Sequence, residues 1–304
     1  MIRAAMSRFL EALRSGRVLL MDGAMGTELQ RAGLKDGECG EHWNVTHPDR
    51  VREIHQSYKR AGAEVFLTNT FQSNPANLRK QGLDNELEEI HQAALSLTRS
   101  VSGDDGFVLG DIGPTTPTAH VFNEGEFDSV RRVARSLSSA DAILFETCSH
   151  FNSFLAIITV RASGPVFEEM PILISFSFYQ DSNKGLITSD KLAPQFCAKM
   201  AHQGGFSGLG VNCGRDIGMD EMIEIIRAYR QETDLPLFAR PNAGTPARVG
   251  DGWVYPRTPQ QMAARLPELL EAGVSMVGGC CGTTPEHVAA FRPIVEKWNA
   301  ARSK

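Results

Sequence analysis

The chain has 304 residues, 42% of them hydrophobic and 22% charged, proportions of an ordinary globular protein with a sizeable core. A net charge of -5, from 31 basic and 36 acidic residues, gives no electrostatic reason to expect a nucleic-acid or membrane partner. No apolar run reaches the ~18 residues that a membrane-crossing helix needs.

The N-terminus sets Arg3, Arg8 and Arg14 around Ile2, Phe9, Leu10 and Leu13. It lacks an unbroken apolar stretch and a small-residue cleavage site, so it reads as a short packed helix and not as a secretion signal. An amphipathic transit peptide is the alternative, and Glu11 stands against it. From there, β-rich runs alternate with helical ones. The β-like runs fall at residues 18–21, 64–67, 107–110, 142–145, 171–176, 208–211, 235–239 and 274–277. Helical patterns lie between them at 48–61, 86–100, 127–138, 151–162, 190–203, 220–231 and 259–272, and a last one covers 285–298. Thr46-His47-Pro48, Thr258-Pro259 and Thr284-Pro285 place proline near the first helical position.

Eight strand–helix pairs of similar size predict an α/β fold, a (β/α)8 TIM barrel forming a single domain over residues 1–304. Apolar runs without alternation fit parallel strands covered on both faces. A doubly wound open sheet would explain the alternation but not the count of eight. The special polar residues fall just after the apolar runs, at the strand ends that carry the site in this fold. The connections 23–47 and 245–255 are long enough to cover the barrel mouth.

The run Gly278-Gly279-Cys280-Cys281-Gly282 ends the eighth strand. Neighbouring strand side chains point to opposite faces, so two sulfurs meet at one point only where the chain leaves strand geometry. Taken alone, the pair fits buried structural cysteines as well as it fits a metal site. Cys213 changes that reading. It ends the sixth strand, and in a barrel all strand ends share one rim, so three sulfurs can converge. Three thiolates leave a tetrahedral Zn2+ one open position, the pattern of a catalytic site. They make the metal a poor source of hydroxide and a good holder of a further thiolate that must stay nucleophilic. Cys39, Cys148 and Cys197 lack this setting, and His55, His202 and His287 fall inside helical runs. Six cysteines in a chain of this length are no disulfide framework, and with no export signal a reducing cytoplasm is expected.

Other strand ends supply polar anchors. Asp22 and Glu146 can receive an ammonium group, or can serve as salt-bridge partners or helix caps. The Gly-rich turn from Gly23 to Thr27 offers backbone N–H groups to a carboxylate, although Asp-Gly is also an ordinary turn. Asn242 can turn an amide oxygen towards the metal or simply occupy a turn. Trp43, Phe71, Trp253 and Tyr255 can cage a cationic donor or pack loops.

These motifs together resemble the homocysteine S-methyltransferase family over nearly the whole chain. They are Asp-Gly-Ala-Met-Gly-Thr at 22–27, Thr-Asn-Thr-Phe at 68–71 and Gly-Asp-Ile-Gly-Pro-Thr at 110–115. Glu-Thr at 146–147, Gly-Val-Asn-Cys at 210–213, Pro-Asn-Ala-Gly at 241–244 and Gly-Gly-Cys-Cys-Gly-Thr-Thr-Pro at 278–285 complete the set. The resemblance implies zinc-dependent methyl transfer to the thiol of homocysteine, giving methionine. It also implies Cys213, Cys280 and Cys281 as zinc ligands, Asp22 and Glu146 as homocysteine-binding carboxylates, and Asn242 as a residue that occupies the metal in the absence of substrate. Within the family the chain looks closer to the homocysteine domain of cobalamin-dependent methionine synthase than to the betaine enzyme. It departs from that synthase in showing no Asp-x-His-x-x-Gly cobalamin-binding signature. The expected methyl donor is therefore a small molecule (S-methylmethionine, S-adenosylmethionine, betaine or dimethylsulfoniopropionate) or a corrinoid on a separate protein. Two other readings remain open: a non-catalytic barrel that binds homocysteine and zinc, and a metal-dependent hydrolase, which would want histidines at the strand ends.

Overall fold

Continuous apolar runs make stable strands only where both sheet faces are covered. In the computed structural model, which describes residues 2–114, 124–161, 164–249 and 252–302, both faces are covered. The eight expected runs form eight parallel strands: Leu19–Leu20, Val65–Leu67, Phe107–Ile112, Ala142–Cys148, Ile172–Phe176, Gly208–Asn212, Leu237–Arg240 and Val274–Val277. They lie in one sheet in cyclic order, with the first strand beside the eighth. A parallel bridge between Met21 and Val65 brings the first strand back to the second, with Glu64 N donating to Leu20 O at 2.7 Å. The (β/α)8 barrel is the observed architecture. Thr115, Ala162, Gly250 and Asp251, which belong to expected motifs or elements, lie outside the described residues.

Several boundaries differ from expectation, each for a local reason. The third and fourth strands run on to Ile112 and Cys148, because their backbones keep pairing (Ile112 with Phe145, Cys148 with Phe176) whatever the side chains are. Asp111 and Glu146 therefore lie within strands and not after them. The helix expected from residue 190 starts at Pro194, whose ring presets the first helical turn while Ala193 stays extended. The connection 23–47 is partly helical, with Met25–Arg31 and Trp43–Thr46. Two antiparallel hairpins were not expected: Tyr179–Asp181 with Gly185–Ile187, and Ala247–Val249 with Gly252–Val254. Both are built of strands only three residues long, too short to stand out as apolar runs. Among the described residues no helix is long and apolar enough to cross a membrane.

The core has two layers. One fills the barrel interior with inward-facing side chains, among them Leu19, Val65, Leu109, Leu144, Leu173, Phe238 and Met276. The other lies between the sheet and the surrounding helices. Phe9 and Leu13 of the N-terminal helix Ile2–Arg14 belong to the interior layer. The Phe9 ring meets Phe107 edge-on at 5.4 Å, and Arg8 donates to the carbonyl of Gly106, just before the third strand. The N-terminal helix thus plugs the barrel floor, opposite the rim that carries the cysteines. Phe9→Ala should cost about 3–5 kcal/mol, because the ring is fully buried and its removal leaves a cavity. Urea unfolding measures this, and a loss below about 1 kcal/mol would mean that the helix is not part of the core.

Candidate metal and substrate site

The rim is where the backbone departs from strand geometry. Cys213 follows the sixth strand with φ 55°, a conformation that costs an ordinary residue about 1–2 kcal/mol. After the eighth strand the chain passes close to the first. A Cβ on Gly278 would lie 2.5 Å from the carbonyl oxygen of Asp22, so only glycine fits there. Gly282, at φ 78°, completes the turn. Backbone bonds then hold the turn in place: Gly279 N to Asp22 O at 3.0 Å, Cys280 N to Pro241 O at 2.8 Å, and Ala243 N to Cys281 O at 2.9 Å.

This geometry gathers Cys213, Cys280 and Cys281, with sulfur atoms all within 4.8 Å of one another. The Cys213–Cys281 and Cys280–Cys281 separations are both 3.9 Å. A tetrahedral Zn2+ with thiolate ligands sets its sulfurs about 3.8 Å apart, so the trio fits a metal of that size. Asn242 supplies a second sign. Its Nδ2 lies 3.5 Å from the Cys213 sulfur, and its buried Oδ1 has no partner among the described residues. Within the trio, S–H donation from Cys280 and Cys281 holds the Cys213 thiol far below the usual range, against the effect of burial. Bonding to Cys213 pushes the other two up, Cys281 to about 12.

Beside the sulfurs lies a buried ionic cluster. Arg240, the last residue of the seventh strand, is only 4% exposed. Its Nη1 bonds Glu146 Oε1, while its Nη2 reaches Asp22 Oδ1 at 3.3 Å and Gly23 O at 3.2 Å. The other Asp22 oxygen accepts from Leu67 N at 2.8 Å. Burial raises Asp22 from the usual 3.8 to about 7, against the pull of Arg240 and the Leu67 amide. Burial raises Glu146 too, again opposed by Arg240. Asp111 is pushed well up, by burial first and by Glu146 second. One cavity of about 800 Å³ is lined by these acids, by Gly23 and Arg240, and by all three cysteines.

The structure brings together Asp22, Gly23, Glu146, Asn242 and the three cysteines expected from sequence. The four aromatic candidates do not meet: Trp43 is buried against His47, Trp253 is exposed on the 247–254 hairpin, and only Phe71 and Tyr255 line the cavity. Among the described residues the three cysteines are the one cluster with metal-ligand geometry. His55, His202 and His287 bond to Thr98, Thr233 and Thr284 instead. The sequence reading assigns no role to Arg240, Asp111 and Asn212. Their signal was the polar residue that closes an apolar run, as in Leu-Phe-Ala-Arg ending at 240.

A model of the homocysteine S-methyltransferase family matches residues 19–295. The chain is 32% identical to methionine synthase of Mycobacterium tuberculosis over 294 residues, which is 90% of this chain and 24% of that protein. It is 31% identical to methionine synthase of Mycobacterium leprae over 303 residues, 93% of this chain and 25% of that one. It spans about a quarter of the length of these relatives. Among solved structures, the metallated form of the homocysteine methyltransferase MmuM from Escherichia coli superposes with a TM-score of 0.76 at 25% identity, covering 93% of this chain and 99% of that one. The chain belongs to the homocysteine S-methyltransferase family, a family of methyltransferases.

The raised acid makes a pH prediction. The Asp22 carboxyl ionises near pH 7 when folded but near 3.8 when unfolded, so the folded chain binds the extra proton between those values. Its contribution to stability is complete below about pH 4 and is lost as pH rises through about 7. Relative to Asp22→Asn, which cannot ionise, the wild type should lose stability steadily across that window and no further above it. Urea midpoints for both proteins across the window check this, and a constant difference between them contradicts it.

Proposed function

We propose that this protein transfers a methyl group to the thiol of homocysteine, forming methionine, with Zn2+ held by Cys213, Cys280 and Cys281. The observation that carries the reading is the convergence of three sulfurs from two strand ends with a buried acid–arginine cluster in one cavity. That the MmuM structure, similar over nearly the whole chain, is a metallated form is consistent with a metal in this protein. Bound there, Zn2+ supplies the Lewis acidity that removes the proton from a substrate thiol at neutral pH and leaves the sulfur nucleophilic.

The protein's own residues do the rest. Asp22, Glu146 and Asp111 face a single guanidinium, so the cavity carries excess negative charge once they ionise, and a substrate ammonium balances it. The turn at Gly23 sits where an α-carboxylate can meet backbone N–H groups. Asn242 lies against Cys213 with a free amide oxygen, available to the fourth metal position when no substrate fills it. In the transfer the sulfur loses its proton and forms the S–CH3 bond, while the donor–CH3 bond breaks and its electron pair leaves with the donor. Holding the sulfur and the methyl carbon in line should dominate the rate. The donor is a small molecule carrying an activated methyl group. A second reading, a homocysteine-activating subunit served by a separate corrinoid protein, is favoured by the similarity to methionine synthases four times as long as the matched region.

Cys213→Ser should lower bound zinc and reduce methionine formation by roughly a hundredfold or more, since one hard ligand replaces a soft one in the set. Metal analysis and a donor panel (S-methylmethionine, S-adenosylmethionine, betaine, dimethylsulfoniopropionate and a methylcorrinoid) test this together. Turnover that persists in metal-stripped protein would remove the mechanism.

A further inference from the structure

A methyl transfer at a metal held by three cysteines must choose among sulfurs. Metal binding makes thiolates of the protein sulfurs as well as of the substrate sulfur, and a thiolate is the nucleophilic form wherever it sits. The methyl group goes to substrate only where the protein sulfurs are the poorer nucleophiles. A hydrogen bond makes them so, because the donor draws on the same lone pair that would attack carbon.

Each of the three sulfurs has a side-chain donor of its own. Asn242, just past the seventh strand, sets its Nδ2 3.5 Å from the Cys213 sulfur. Asn212, the last residue of the sixth strand, donates from Nδ2 to Thr147 Oγ1 at 2.8 Å and faces the Cys280 sulfur with the same nitrogen at 4.0 Å. Tyr255, just past the 247–254 hairpin, directs its hydroxyl at the Cys281 sulfur. The Tyr255 ring is firmly seated: a Cβ on Gly282, the residue after Cys281, would meet the ring Cγ at 2.0 Å, so the ring lies against bare backbone. Tyr255 also lines the cavity that the three cysteines line. A phenol holds its proton at neutral pH and has one hydrogen to give. These contacts all go to protein sulfurs, which leaves the entering sulfur the one thiolate that they do not weaken. Of the three donors, Tyr255 is the one whose donor atom can be removed while the rest of the side chain stays in place.

We propose that Tyr255 is a selectivity residue, whose hydroxyl keeps the methyl group off Cys281 and so directs it to the substrate thiol. Asn242 acts in the same way on Cys213, and Asn212 on Cys280. This rests on the zinc-dependent transfer proposed above and deepens it, because it says which of four thiolates reacts.

The test exposes zinc-supplied wild type, Tyr255→Phe and Asn242→Leu to methyl iodide, a small electrophile that needs no donor site, with no homocysteine present. An S–CH3 bond forms on a cysteine thiolate, the C–I bond breaks, and iodide leaves with the electron pair. Peptide mass spectrometry follows S-methylcysteine at positions 213, 280 and 281 separately. In Tyr255→Phe, Cys281 should be methylated roughly tenfold faster than in wild type, with Cys213 and Cys280 changed by less than about twofold. Asn242→Leu should move the gain to Cys213. Phenylalanine keeps its ring on Gly282, so zinc content and melting temperature should match those of the wild type. An equal rise at all three sulfurs of Tyr255→Phe means that the site has merely opened, and it overturns the proposal. No rise at Cys281 overturns it too, and either result leaves the zinc-dependent reading standing. Wild type that holds no Zn2+ overturns both.

Discussion

The buried guanidinium of Arg240 is the charge around which the rim is arranged. From the end of the seventh strand it bonds Glu146 on the fourth and both Asp22 and the Gly23 carbonyl at the end of the first. Burial works against its charge, and Glu146 and Asp22 more than restore it. A buried ion pair is poor value as stability alone, since apolar residues of the same volume often do as well or better. Its presence here is better explained by what must enter the cavity. Burial makes each of the three acids hold its proton more tightly, against the pull of the one guanidinium they share. A charged ligand therefore meets groups whose ionisation it can complete.

The sulfur cluster is tied to the same strands. The turn that carries Cys280 and Cys281 bonds Asp22 O on one side and Pro241 O on the other, and Asn242 touches Cys213. The first, seventh and eighth strand ends thus bring the sulfurs of Cys280 and Cys281 and the charged pair of Asp22 and Arg240 onto one framework. On the proposed function, a thiol at the metal and an ammonium at the acids would be held by one backbone framework, which would fix the distance between them. That is the arrangement a methyl transfer to sulfur requires, because the nucleophile must be aimed and not merely generated.

The eight-fold alternation and the three cysteines were legible in the sequence because each rests on a local signal: an apolar run followed by a special residue. The convergence of Cys213 with Cys280 and Cys281 followed from topology, since every strand end of a barrel reaches one rim. Arg240 and Asp111 close apolar runs, but no local signal shows what they do, because their roles are relational. Nothing near Arg240 in sequence reveals that Glu146, 94 residues away, will need a cation. The two hairpins were missed because strands of three residues are too short to show a period. Boundaries at Asp111 and Glu146 slipped because backbone pairing continues through polar residues when the neighbouring strand does.

What keeps the site in one arrangement is its strain and the side chain that holds it. Thr147 at φ 62° and Cys213 at φ 55° both adopt left-handed backbone on adjoining parts of the rim. Such residues persist only where their surroundings over-determine them. Asn212 provides that constraint. Its Oδ1 accepts from Thr147 N at 3.1 Å and from Ser175 Oγ at 2.6 Å, and its Nδ2 donates to Thr147 Oγ1 at 2.8 Å. The same Nδ2 lies 4.0 Å from the Cys280 sulfur. One buried amide therefore locks the turn after Glu146, sits next to Cys213 in sequence, and faces Cys280 in space. The strain at Cys213 points its sulfur at the other two, and the hydrogen bonds of Asn212 stop that strain from relaxing into a regular strand end.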